Sequence, residues 1–137
     1  MTGKDEIQVV VARPGKDAVV ESIVPDLKSY QDMVGGYIEI IALPKDRAVM
    51  VVNGEGKRKG LPDNRYIMSE QGKLVDTLTG TIFVCGVSKD GKFCSLDEGQ
   101  IHNLLERFSN RHLFTATNQE VLGVYERYFE KGQEREL

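Results

Sequence analysis

The chain alternates between short apolar runs and stretches where apolar residues recur every three or four positions, with glycine, proline and aspartate at the switches. Residues 7–12 form a valine-dominated run that predicts a buried strand. Arg13-Pro14-Gly15-Lys16 supplies the turn into a second strand over 18–24, so the two make an opening hairpin. Pro25-Asp26 then reads as a helix start, with Asp26 as N-cap and Leu27, Tyr30, Met33 and Val34 on one face, until Gly35-Gly36 supplies a left-handed stop. The β-rich runs at 37–43 and 47–53, separated by Pro44-Lys45-Asp46, predict an antiparallel hairpin. Residues 54–60 read as a Gly/Lys-rich loop, 61–64 as extended or turn-like, and 66–76 show no clear period. A further hairpin over 81–87 and 92–95 turns at Asp90-Gly91, and its first arm is apolar enough for the centre of a sheet.

Two capping boxes follow. Ser95-Leu96-Asp97-Glu98 opens a helix with Ile101, Leu104, Leu105 and Phe108 on one stripe. Thr117-Asn118-Gln119-Glu120 opens a second over 117–131, with Val121, Leu122, Tyr125, Tyr128 and Phe129 on its stripe. The expected fold class is α+β: a mainly antiparallel sheet of hairpins, a short helix at 26–34 and a helical C-terminal third, all in a single domain.

Composition narrows the function classes. The length suits one core without staples, and 40% hydrophobic with 28% charged residues is ordinary for a globular protein. No apolar stretch approaches the roughly 18–20 residues that span a bilayer, and the first residues lack a signal peptide's apolar region, so a cytoplasmic protein without a membrane partner is expected. A net charge of −3 argues against duplex DNA as a partner and against DNA mimicry. If Lys89 pairs with Lys92, Cys94 falls opposite Val87 and diagonal to Cys85, about 7–8 Å away, so both cysteines are expected as reduced thiols.

Tyr30-Gln31 through Val34-Gly35-Gly36-Tyr37-Ile38-Glu39, then Asn53-Gly54-Glu55-Gly56-Lys57, Gly60-Leu61-Pro62-Asp63-Asn64-Arg65, the strand from Gly80 to Gly86 and the Asp90-Gly91 turn resemble a family of small proteins of unknown function. That family is carried mainly by bacteriophages, plasmids and related mobile elements. The resemblance covers residues 7–108, with the C-terminal helix outside it. It implies an accessory protein acting inside a bacterial host cell, and it brings no catalytic residues. One departure is Gly54, where the family usually has an acidic residue after the asparagine.

The candidate chemistry is modest. Glycines and three consecutive cations in Gly54-Glu55-Gly56-Lys57-Arg58-Lys59-Gly60 suit an anion, but the segment lacks the Walker spacing, and a solvated basic turn is the plainer reading. Glu39 sits in an apolar strand on the same face as Tyr37 and Ile41; Arg65 or Arg47 could balance it. A functional reading has Glu39, Asn53, Asn64 and Arg65 lining one polar pocket, joined by Lys57 and Arg58 for a nucleotide-like ligand, while the asparagines could equally be turn formers. His102 and His112 have no ligand-type partners at zinc spacing, and no Cys–His pair has a nameable third member, so neither a metal, a cofactor nor an enzyme is expected. The aromatic stripe Tyr125, Tyr128 and Phe129 is a candidate contact for a host or defence protein or for a homodimer. Single-stranded nucleic acid on Lys57 to Lys59, with Tyr37 or Tyr66 stacking, is a third reading.

Overall fold

The computed structural model describes residues 5–124. Nine strands and two α-helices follow in the order β1 (Ile7–Ala12), β2 (Val19–Ile23), α1 (Leu27–Val34), β3 (Ile38–Leu43), a 3-10 turn (Pro44–Asp46), β4 (Ala48–Asn53), β5 (Asp63–Met68), β6 (Leu74–Thr79), β7 (Ile82–Val87), β8 (Phe93–Cys94), α2 (Glu98–Arg107) and β9 (Leu113–Thr115). A further helix opens at 118 and is described to 124. No helix among the described residues is long and apolar enough to cross a membrane.

The larger sheet has the order β2-β1-β7-β4-β3, all antiparallel, with β8 paired to β7. β7, apolar along nearly its whole length, takes the centre, as a strand covered on both faces requires. One face carries Val9, Val11, Val51, Phe83 and Cys85, covered by Tyr30 and Val34 of α1. The other carries Val10, Ile41, Leu43, Met50, Val52, Ile82 and Val84. It is covered by Leu104 and Phe108 around α2, by Ile67, Leu78 and Phe114 of a second sheet ordered β6-β5-β9, and by Val124. The result is three layers with the larger sheet in the middle.

Both helix starts are capped as side-chain chemistry demands. Asp26 accepts the Ser29 N–H at 2.8 Å, and Gly35 closes α1 at φ 84°, where a Cβ would be strained. α2 is capped by Asp97 and Gln100, not by Ser95 and Glu98; the Ser95 hydroxyl accepts the Gln8 N–H at 2.7 Å instead, tying β8 to β1. Thr117 and Glu120 exchange the expected reciprocal bonds.

The expectation of a helical C-terminal third is corrected. Beyond residue 92 the chain makes β8, α2 and β9 before the helix at 118, and β9 lies parallel to β5. The stretch without a period is β5 and β6, whose register shifts between Asp63 and Arg65 and again between Ile67 and Met68. Each shift breaks the alternation by which a strand is read from sequence. The β7–β8 hairpin is also one position off: Ser88 pairs with Lys92 around a loop whose Gly91 has φ 82°, so Cys94 faces Gly86. Cys85 and Cys94 therefore project from opposite faces of the sheet, and both are free thiols.

Candidate functional site

The segments that stand out in the sequence converge at the end of the larger sheet where α1 stops. Tyr37 accepts the Gly54 N–H at 2.8 Å, joining the Gly35-Gly36-Tyr37 turn to the Asn53-Gly54-Glu55 turn. Asn53, nearly buried, donates to the Val34 carbonyl at 3.1 Å and accepts the Glu55 N–H at 2.7 Å. Its amide thereby satisfies an open carbonyl at the C-terminal end of α1 and shapes the next turn. A Cβ at Gly36 would stand 3.0 Å from Asn53 Nδ2 and 2.8 Å from Lys59 Nζ; the lysine can swing away, but the twice-bonded amide cannot. At Gly54 a Cβ would come within 2.9 Å of Glu39 Oε1, so the half-buried Glu39 side chain lies over Gly54.

Asn64 and Arg65 form a second centre. Asn64 donates to the carbonyls of Ala12 (2.9 Å) and Gly80 (2.7 Å) and accepts from Arg65 Nη1 (2.7 Å). Arg65 is fully buried; its remaining guanidinium bonds go to the carbonyls of Arg13 (3.2 Å), Lys16 (2.8 Å) and Phe108 (3.0 Å), and Nε has no partner. Burial pulls its pKa below the ordinary value, opposed by the charge of Asp17. One guanidinium thus pins the first turn, the second sheet and the end of α2 together. Asn64 anchors on β1, which β7 and β4 separate from β3, so Glu39 lies three strand spacings, about 14 Å, away. Asn53 projects to the α1 side of the sheet and Glu39 to the other. The four residues read as one pocket do not meet, and Arg47, the other candidate partner for Glu39, pairs with Asp97 at 3.7 Å.

The basic loop is partly committed as well. Lys57 donates to the buried carboxylate of Asp76 on β6, which also accepts the Thr77 N–H at 2.7 Å. Gly56 packs against Thr79 with no room for a Cβ. Arg58 is exposed, 3.8 Å from Glu55. Tyr125, Tyr128 and Phe129 lie outside the described residues. Among the described residues no group of three or more His, Cys, Asp or Glu gathers in a metal-binding arrangement.

Sequence reading missed Arg107, which bonds Asp46, Glu120 and the Thr115 carbonyl and lies 4.4 Å from the Phe114 ring centroid, locking α2 to β9 and the helix at 118. It also missed an apolar surface. α1 is about 12 Å long, whereas the sheet beneath it is about 19 Å wide and 20 Å tall, so the helix cannot cover the face. Beside it lies an open groove of about 460 Å³ lined by Pro25, Leu27, Tyr30, Ile38, Lys92 and Phe93. Leu27 is 56% exposed, so the first residue of the supposed buried stripe of α1 faces out. Ile40, 48% exposed, and Val87 project from the same sheet face. Sequence gives no sign of this, because exposure here follows from helix length and strand order, not from residue type. A second open cleft of about 460 Å³ is lined by Gln31, Asp32, Gly35, Gly36, Tyr37 and Lys59.

No curated protein and no solved structure matches the chain. The model of one family, described as a domain of unknown function, matches residues 7–109, from the start of β1 to just beyond α2, which includes the Asn53 and Arg65 centres and leaves β9 and the helix at 118 outside. The chain belongs to this DUF3846 family.

Proposed function

We propose that this protein is a non-enzymatic accessory protein of a phage or plasmid that binds a host or defence protein, and that the groove between α1 and Phe93 is its contact. The observation that carries this reading is the unfinished apolar cover of the larger sheet, which leaves Leu27, Phe93 and Ile38 around an open groove. A concave groove edged by exposed apolar side chains is a shape that an anchor side chain of a protein partner can fill. The division of labour among the polar residues supports it too: Asn53, Asn64, Arg65 and Lys57 hold the backbone together, so the ligand chemistry they suggested is largely occupied within the fold. Affinity capture from bacterial cells with the wild-type chain, Leu27→Lys and Arg58→Glu tests it. Leu27→Lys is expected to fold normally and lose its partner while Arg58→Glu keeps it; retention of the partner by Leu27→Lys would overturn the assignment.

The cleft at Gly35-Gly36 favours a second reading, a nucleotide-like small-molecule binder. Tyr37, 69% exposed, offers a stacking face and Lys59 a cation for phosphate. Stabilisation by a nucleotide at millimolar concentration, lost in Tyr37→Ala, would support it, and a flat thermal-shift screen would remove it.

A further inference from the structure

β3 is an edge of the larger sheet, and its register shows which of its backbone groups face out. The Gly54 N–H bond to the Tyr37 carbonyl makes 37/54 a hydrogen-bonded pair, so 39/52, 41/50 and 43/48 are hydrogen-bonded and 38/53, 40/51 and 42/49 are not. The N–H and C=O groups of Ile38, Ile40 and Ala42 therefore point away from β4. Among the described residues no strand pairs with this edge, and no backbone bond reaches these groups. No proline, lysine or bulge lies within Ile38–Leu43, and Glu39, on the face away from α1, is its one charged residue.

We infer that the outer edge of β3 pairs antiparallel with the same strand of a second copy of this chain, about a two-fold axis at Ile40. The strand that fits this edge is the edge itself, since an antiparallel pair of identical strands presents matched donors and acceptors under two-fold symmetry. The axis at Ile40 follows from elimination. An axis at Glu39 would set two carboxylates directly opposite each other. An axis at Ile41 would pair Ile38 with Pro44, which has no N–H and begins the 3-10 turn. With the axis at Ile40, Ile38 pairs with Ala42 of the other copy and Ile40 with itself, giving about six backbone hydrogen bonds, two from each of three pairs.

Ile40 then covers its own counterpart on the α1 face, while Glu39 lies across from Ile41. The axis stands perpendicular to the sheet, so both α1 grooves open on one side of a continuous sheet ten strands across. The pairing duplicates the groove proposed for the protein partner and does not consume it. An edge about 20 Å long and, with side chains on both faces, about 20 Å tall buries about 400 Å² per copy, below the size of a standard interface; the dimer is therefore reversible and concentration-dependent.

Sedimentation velocity from about 5 to 500 µM, in reducing buffer, is expected to show a monomer–dimer equilibrium that Ile40→Lys shifts at least tenfold toward monomer. A second test fixes the register in a Cys94→Ser background. Ile40→Cys brings two thiols to a Cα separation of about 5.5 Å and forms a disulfide dimer on mild oxidation, whereas Ala42→Cys leaves its thiols about 14 Å apart and does not. Monomer throughout the range, a dimer indifferent to Ile40→Lys, or trapping at Ala42→Cys in place of Ile40→Cys would each overturn the proposal. None of these results bears on the Leu27 groove, which is tested by its own variant.

Discussion

Replacing Arg65 with methionine tests most sharply whether the polar motif is architecture or site. The guanidinium satisfies three backbone carbonyls, from Arg13, Lys16 and Phe108, and the Asn64 side-chain oxygen. Methionine matches the apolar stem of arginine but ends where the guanidinium begins, and it leaves all four acceptors without a donor in a site from which water is excluded. Each unsatisfied acceptor costs about 1–3 kcal/mol. Two effects reduce the sum: water can enter the relaxed site, and the fold no longer has to desolvate a cation that no carboxylate bonds directly. The expected net loss is about 3–5 kcal/mol. With an unfolding entropy near 2.1 cal/mol/K per residue, a chain of this size loses roughly 3.5 °C in Tm per kcal/mol, so the melting temperature falls by about 10–17 °C. Arg65→Lys should fall between, because three donors on one ammonium cannot span four acceptors as the planar fork does. Urea denaturation followed by circular dichroism measures the difference directly. A stability within about 1 kcal/mol of wild type for Arg65→Met would refute the reasoning, and would mean that the guanidinium is available to a ligand.

Gly54→Asp should cost about 1 kcal/mol because it crowds and repels Glu39; combined with Glu39→Gln the loss should shrink, and a double-mutant cycle with no coupling would sink the contact. The buried Cys85 thiol is pushed up from 9.0 to about 12, first by burial and then by the neighbouring Cys94. A raised acid pKa stabilises the fold below the unfolded value and loses that contribution as pH climbs from 9 toward 12. The stability advantage of wild type over Cys85→Ala should therefore narrow by about 2 kcal/mol between pH 8 and 10.5, and parallel profiles would contradict it. Native alkylation at pH 8 should modify Cys94, half-buried, well before Cys85, as read by intact-mass spectrometry.

What could be read in advance was whatever is local. Asp26 and Gly35 mark α1 because capping is a contact within a few residues. Pro44-Lys45-Asp46 and Asp90-Gly91 mark hairpins because turn chemistry is local as well. β5 was hidden because Asn64 and Arg65, adjacent and both buried, violate alternation, and their partners lie as far along the chain as Ala12 and Phe108. β9, three residues long, exists only through its parallel pairing with β5. The α2 cap was placed at Ser95 since both Ser95 and Asp97 can cap, and the choice depends on Gln8 claiming the serine hydroxyl. The site divided in the same way. Asn53 and Lys57 were read as candidate ligand contacts, and only the tertiary structure shows their bonds to Val34, Glu55 and Asp76. The apolar groove had no sequence signal, because the same leucine and isoleucines would be core under a helix one turn longer.

On the proposed reading, this chain acts through its uncovered α1 face. The most direct test is a photo-crosslinking amino acid placed at Leu27, with Leu74, equally exposed on the second sheet, as the control position, in living bacteria that express the chain. The expected result is a discrete adduct from position 27 and none from position 74, with a mass equal to this chain plus a different protein, and with the adduct retained in Ile40→Lys. No adduct from position 27, or the same adduct from both positions, would contradict the claim.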